Sequence, residues 1–109
     1  RQVERARGNQ LGADDFAGGT YSISNNGAFG TAFTAPIINA PQVAILSTDA
    51  IRKRPAVVYT AEGEFIAPRL IGYVGQSFDH RVFDGAYSAA FLSRLKEILE
   101  ERDWDAEFN

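Results

Sequence analysis

The sequence predicts an α/β fold in which short strands lead into one long amphipathic helix near the C-terminus. Three observations carry this. Gly19 to Asn25 alternates apolar and hydroxyl residues, Val43 to Leu46 is a continuous apolar run, and Phe91, Leu92, Leu95, Ile98 and Leu99 fall on one helical stripe. A side-chain period of two giving way to one near 3.6 marks strands followed by a helix.

Composition bounds the rest. The 109 residues suffice for one small domain. A net charge of -3, with eleven Lys and Arg spread along the chain, leaves no basic patch for nucleic acid. The absence of cysteine excludes disulfides, a thiol nucleophile and cysteine-ligated zinc, and a single histidine excludes a multi-histidine metal site within one chain. A reducing compartment fits this usage. No run approaches the ~18 apolar residues that span a bilayer, and the charged N-terminus lacks a signal-peptide core, so the chain reads as soluble.

Residues Arg1 to Gln10 suggest the exposed end of a helix stopping at Gly8 or Asn9. Leu11 to Gly18 reads as a loop or a single helical turn, with Phe16 anchoring it to the core. In the strand Gly19 to Asn25, Tyr21 and Ile23 share one face, and Thr20, Ser22 and Ser24 share the other. Hydroxyls in that pattern ordinarily face water. Asn25-Asn26-Gly27 ends the strand as a turn. Thr34 to Pro41, bracketed by Pro36 and Pro41, reads as an irregular apolar connection packed under the core. Gln42 to Ser47 follows as a strand buried on both faces. Arg52, Lys53 and Arg54 form a small basic cluster, read as a solvated strand end rather than an anion site. Ala56 to Val74 reads as strand, turn at Gly63 and strand, with Pro68 marking an edge or a break. In the closing helix Asp84 or a neighbour is the cap, Ala86, Ala89 and Ala90 allow close packing on the sheet, and Lys96, Glu97, Glu100 and Glu101 face water. Trp104 and Phe108 are candidate anchors for the acidic tail from Arg102 to Asn109.

Between the second hairpin strand and the helix lies Gly-Gln-Ser-Phe-Asp-His-Arg-Val-Phe-Asp-Gly, residues Gly75 to Gly85, with the sole histidine, His80. Histidine exchanges a proton near neutral pH, which makes His80 a candidate general base. The ordinary alternative is a histidine held by a neighbouring carboxylate, since structural pairs perturb histidine as readily as catalytic ones.

The residues around His80 closely resemble the His-Arg-x-x-Asp-Gly signature of the 2-oxo acid dehydrogenase acyltransferases, whose wider His-x-x-x-Asp-Gly pattern is shared with chloramphenicol acetyltransferase. Gly18 to Gly27 looks like the family's Gly-Gly-Thr-Phe-Thr-Ile-Ser-Asn-x-Gly, and Pro36 to Gln42 like its Pro-Ile-Ile-Asn-x-Pro-Gln. The resemblance runs from about Asp15 to about Glu100. It implies a chloramphenicol-acetyltransferase-like fold, an α+β two-layer sandwich with a mixed β-sheet and flanking helices, of which residues 1–109 are the C-terminal half of the catalytic domain, with no lipoyl domain and no peripheral-subunit-binding domain in the sequence.

The same resemblance implies acyl transfer between dihydrolipoamide and coenzyme A, both substrates, with no metal. His80 would be the general base, Ser24 the donor to the oxyanion, and Asp84 a residue that supports the site or caps the helix. Asp79 and Arg81 match the signature as holders of the loop. No coenzyme A contact is assigned. Gly30 to Thr34 leans toward the acetyl-transferring members, hence a pyruvate dehydrogenase complex, over branched-chain or succinyl members, although Ser77 to Arg81 also occurs in branched-chain ones. Implied partners are two further copies in a homotrimer with His80 facing the Ser24 of a neighbour, a cubic or dodecahedral core, and the decarboxylase and dihydrolipoamide dehydrogenase components. The charged C-terminal tail departs from the apolar tail that many members use between trimers. The implied location is the cytoplasm, or the mitochondrial matrix in a eukaryote. The competing readings are a non-catalytic assembly module or inactive truncated core, and a chloramphenicol-acetyltransferase-like enzyme on a free small molecule.

Overall fold

The computed structural model describes residues 1–108. A short helix, α1 (Gln2–Arg7), and a 3₁₀ turn (Ala13–Phe16) lead into β1 (Ser22–Asn25), followed by a second 3₁₀ turn (Gly27–Phe29). Four strands follow, β2 (Ala44–Thr48), β3 (Arg52–Thr60), β4 (Gly63–Ile71) and β5 (Val74–Phe78), then the long α2 (Gly85–Glu101) and the short α3 (Trp104–Phe108).

The strands form two sheets. One is mixed, in the order β1-β2-β5, with β1 parallel and β5 antiparallel to the central β2. The other is the β3–β4 hairpin. Its two prolines face each other as Pro55 and Pro68. Neither ring offers an N–H, so the pair fits a rung whose amides would point outward, which a two-stranded ribbon tolerates. Pro68 therefore interrupts nothing. The actual break is at Gly72-Tyr73, which divides the expected second hairpin strand into β4 and β5.

Helix α2 packs on β5, on the face that carries Gln76, and makes the second layer. Ser88, buried, donates to Gln76 Oε1 at 2.6 Å, Gln76 Nε2 donates to the Tyr21 hydroxyl at 2.9 Å, and Phe91 lies 6.0 Å from the Tyr21 ring. One network thus ties α2, β5 and the start of β1. Close approach to the sheet is made at Ser88 and not at Ala86, Ala89 or Ala90, which are exposed. Lys96, Glu97, Glu100 and Glu101 face water as the stripe requires.

Other side chains depart from the sequence expectation. Phe16 and Ile37 are 70% and 88% exposed, so neither the turn nor the proline-bracketed segment is pinned to a core within this chain. Trp104 Nε1 donates to the Leu99 carbonyl at 3.0 Å and anchors α3 to the end of α2, whereas Phe108 is exposed. Asn109 lies outside the described residues. In the basic cluster, Arg52 donates to the Gly30 carbonyl at 2.8 Å and Arg54 lies 5.5 Å above the Tyr73 ring, so two of the three cations pack on the protein.

The reason for so many exposed apolar residues is quantitative. A compact monomer of 11.9 kDa exposes about 5,900 Å² and has a radius of gyration of about 13 Å. This chain exposes 8889 Å² with a radius of 17.4 Å. Its buried apolar core is Ala44, Ile45, Leu46 and Ala50, around the central strand. The pattern of the sequence was written for more surface than these residues cover among themselves.

Candidate active site

The three residues singled out by sequence occupy three different local settings. Ser24 is on β1, on the same face as Ser22 and level with Ser47 of β2. This hydroxyl face does not simply look into water. Ser22 donates to Gln42 Oε1 at 2.6 Å and accepts from Asn39, and Ser47 is fully buried with its hydroxyl on the Thr34 carbonyl at 3.0 Å. Ser24 Oγ is half-buried and accepts from Asn26 Nδ2 at 3.4 Å, the long end of a hydrogen bond. Its own hydrogen is left to donate elsewhere.

His80 lies in the turn that follows β5. The Asp79 amide donates to the Val43 carbonyl at 2.7 Å and the Val82 amide to the Asp79 carbonyl at 2.9 Å, which closes the turn. Packed aromatics support it, Phe78 lying 5.4 Å from the imidazole and stacked 4.9 Å from Phe83, itself 5.2 Å from Tyr87. The imidazole is exposed, and among the described residues neither ring nitrogen has a hydrogen-bond partner. Neither nearby carboxylate holds it. Asp84 is the N-cap of α2, its Oδ1 accepting from the Tyr87 amide at 2.9 Å. Asp79 is bound by Arg81, whose Nε and Nη2 reach the carboxylate at 2.9 and 2.7 Å, while the Arg81 amide adds a bond of 3.0 Å. Sequence left Arg81 without a partner. The partner is two residues away.

That pair has a consequence for acid stability. The Arg81 side chain first, and its amide second, hold the Asp79 carboxyl down from 3.8 to about 2. A carboxylate whose pKa is depressed by folding contributes its stabilisation in full above about pH 4, and that contribution is lost as pH falls toward the folded value. Asp79→Asn is therefore expected to flatten the dependence of unfolding free energy on pH between about 4 and about 2. Urea unfolding at stepped pH checks this, and acid limbs of equal slope in variant and wild type would contradict it.

Strand register decides which of these residues can meet. Ser24 is level with Ser47 and Gly75, whereas Phe78 is level with Ala44. Three rungs along the strands and two strand spacings across put the Ser24 and Phe78 backbones about 14 Å apart. His80 is in the turn beyond Phe78. Because β5 runs antiparallel to β2 and β1 parallel to it, the serine and the histidine sit toward opposite ends of the same small sheet. Asp84 is brought near His80, and Ser24 is not.

One residue near Ser24 was missed by sequence. Asp49, just past the end of β2, is 6% exposed, and its Oδ1 accepts from the hydroxyls of Thr34 and Thr31 at 2.6 and 2.7 Å. Those hydroxyls, Thr34 before Thr31, hold its carboxyl below the usual range. The signal was an acidic residue directly after a strand buried at four of its five positions. Among the described residues no group of His, Cys, Asp and Glu side chains is arranged to hold a metal ion.

Residues 1–104 match the family model of the 2-oxoacid dehydrogenases acyltransferase (catalytic domain). The chain belongs to that family. It is 44% identical over 104 residues to the dihydrolipoyllysine-residue acetyltransferase component of the pyruvate dehydrogenase complex of Mycobacterium bovis, covering 94% of this chain and 19% of that protein. It is also 44% identical over 98 residues to the mitochondrial succinyltransferase component of the 2-oxoglutarate dehydrogenase complex of Bos taurus, covering 90% of this chain and 21% of that one. Its fold superposes on the cubic core of the pyruvate dehydrogenase multienzyme complex with a TM-score of 0.78 and 38% identity, over 91% of this chain and 39% of that chain. The chain thus spans about one fifth of the length of these curated acyltransferases, and the mixed sheet with its long helix is the acyltransferase core architecture.

Proposed function

We propose that the protein of which these residues form part transfers an acyl group between coenzyme A and dihydrolipoamide, and that residues 1–109 are the C-terminal half of its catalytic domain. The observation that carries this is the pairing of family membership over residues 1–104 with an exposed His80, without a hydrogen-bond partner among the described residues, in a turn closed by backbone hydrogen bonds. An imidazole without a carboxylate partner is available to a substrate thiol.

In the transfer, His80 takes the thiol proton of one substrate as its sulfur attacks the thioester carbonyl of the other. The carbonyl oxygen becomes an oxyanion, to which the Ser24 hydroxyl donates. When the tetrahedral intermediate collapses, the carbonyl re-forms, the carbon–sulfur bond to the departing thiolate breaks, and His80 returns its proton to that sulfur. Imidazole is the side chain suited to exchanging a proton with a thiol near neutral pH. Asp84 caps α2 and fixes where the turn bearing His80 ends.

Since Ser24 and His80 lie toward opposite ends of one sheet, the reading places the site between chains, Ser24 of one subunit facing His80 of the next in a homotrimer. The unburied apolar surface supports such company, as does the likeness to a cubic core. The decarboxylase and dihydrolipoamide dehydrogenase components are the further partners this activity requires. Bacterial and mitochondrial relatives support the cytoplasm or the mitochondrial matrix as its location.

Acetyl is the acyl group we assign, on Gly30 to Thr34, although the relatives divide between acetyl and succinyl. The test is transfer from acetyl, succinyl and isobutyryl coenzyme A to dihydrolipoamide by the full-length protein. Fastest turnover with acetyl is expected. A faster succinyl reaction overturns the acyl assignment alone, and no turnover with any donor in a folded trimer makes the protein an assembly module.

A further inference from the structure

We propose that Asp49 is a positioning residue for Ser24, holding the segment from Asn26 to Thr34 so that the Asn26 side chain keeps the serine hydroxyl aimed away from the protein. The proposal rests on the acyl-transfer reading of Ser24. Its geometry is a chain of contacts. Asp49 Oδ1 accepts from both Thr34 and Thr31 hydroxyls. The Thr31 hydroxyl lies 3.0 Å from the Asn26 carbonyl, and the Thr31 carbonyl accepts from the Ala50 amide at 2.8 Å. Asn26 in turn gives its amide to the Thr48 carbonyl at 3.0 Å and its side chain to Ser24 Oγ.

Two features argue for precision over simple cohesion. The Thr31 hydroxyl stands between Asp49 Oδ1 at 2.7 Å and the Asn26 carbonyl at 3.0 Å, and that carbonyl also accepts from the Phe29 amide at 3.1 Å. One shared hydrogen thus joins the carboxylate to Asn26, and where Asp49 lies sets where that hydrogen can be shared. Moreover, among the described residues Asp49 Oδ2 is buried and has no hydrogen-bond partner. A buried carboxylate with one oxygen unsatisfied is a poor way to add stability, since apolar packing in the same place does at least as well. Its return is a defined loop. The Asn26 to Ser24 bond, already at 3.4 Å, is lost with any further drift of Asn26.

The test compares Asp49→Ala in two backgrounds of the full-length protein, wild type and Ser24→Ala, by steady-state acyl transfer. In the wild-type background kcat is expected to fall about 10- to 100-fold, the scale of a misplaced catalytic group, with KM for both substrates within about twofold. In the Ser24→Ala background the same change should cost less than about twofold, because nothing remains to be positioned. Asp49→Asn, which keeps an acceptor for both threonines, should recover most of the rate. Equal losses in both backgrounds, or a loss confined to KM, overturns the proposal. Should Asp49→Ala fail to fold, Thr31→Val and Thr34→Val take its place with the same expectations. Should the wild type transfer no acyl group, the acyl-transfer reading falls, and hydrogen exchange still decides whether Asp49 holds the loop. Faster exchange by tenfold or more at the Asn26, Phe29 and Gly30 amides in Asp49→Ala, with β5 amides unchanged, supports the holding, and unchanged exchange in that loop refutes it.

Discussion

Replacing His80 with alanine in the full-length protein is expected to lower kcat for acyl transfer by about 100-fold or more, the range in which a general base contributes. Folding should hardly notice. His80 is exposed, makes no hydrogen bond to the described residues, and touches the protein chiefly through the Phe78 ring 5.4 Å away, so the stability change should stay within about 0.5 kcal/mol. The combination is the diagnostic. A structural histidine gives the opposite pattern, with stability falling and kcat following only as folded protein is lost. Thermal unfolding and steady-state kinetics on the same preparation separate the two.

Ser24→Ala is expected to lower kcat by about 100-fold, equivalent to about 3 kcal/mol, with KM for both substrates nearly unchanged. The asymmetry follows from where charge sits. The thioester oxygen is nearly neutral in the bound substrate and negative in the tetrahedral intermediate, so a hydroxyl donor stabilises the second far more than the first. The Asn26 bond to Ser24 Oγ favours this use, because an oxygen that accepts from one side directs its own hydrogen to another. A raised KM with kcat intact would make Ser24 a ground-state contact instead.

How much of this was legible in the sequence differs by element. The strand read over Gly19 to Asn25 formed over its second half, Ser22–Asn25, the continuous apolar run became β2, and the helical stripe lies on α2, although Phe91 and Leu99 on it are half-exposed. The cap at Asp84 rests on residue type at a helix start, and it too is present. What failed was burial. Phe16, Ile37 and Phe108 look like anchors because apolar side chains are usually covered, but hydropathy says that a residue is to be covered and not by what. The alanines of α2 misled for a related reason. Small residues permit close approach, yet the approach was set by Ser88 finding Gln76, a pairing across sequence that no local pattern contains.

For the candidate site the division is similar. His80 and Asp84 are neighbours in sequence and remain neighbours in space. Ser24 is separated from them by strand register, which appears only once β1 and β5 are seen on opposite sides of β2 running opposite ways. Asp79 with Arg81 was a local pair whose orientation depends on the turn, and Asp49 with its threonines depends on two segments converging.

The most direct test of a site shared between chains is to mix His80→Ala and Ser24→Ala subunits of the full-length protein under conditions of subunit exchange. Each parent alone should be nearly inactive. If His80 of one subunit serves Ser24 of the next around a three-fold ring, random mixing in equal amounts leaves about a quarter of the sites with both groups intact, and about a quarter of wild-type activity returns. If both residues act from the same chain, every site keeps one defect and the mixture stays as inactive as its parents, which would contradict the shared site.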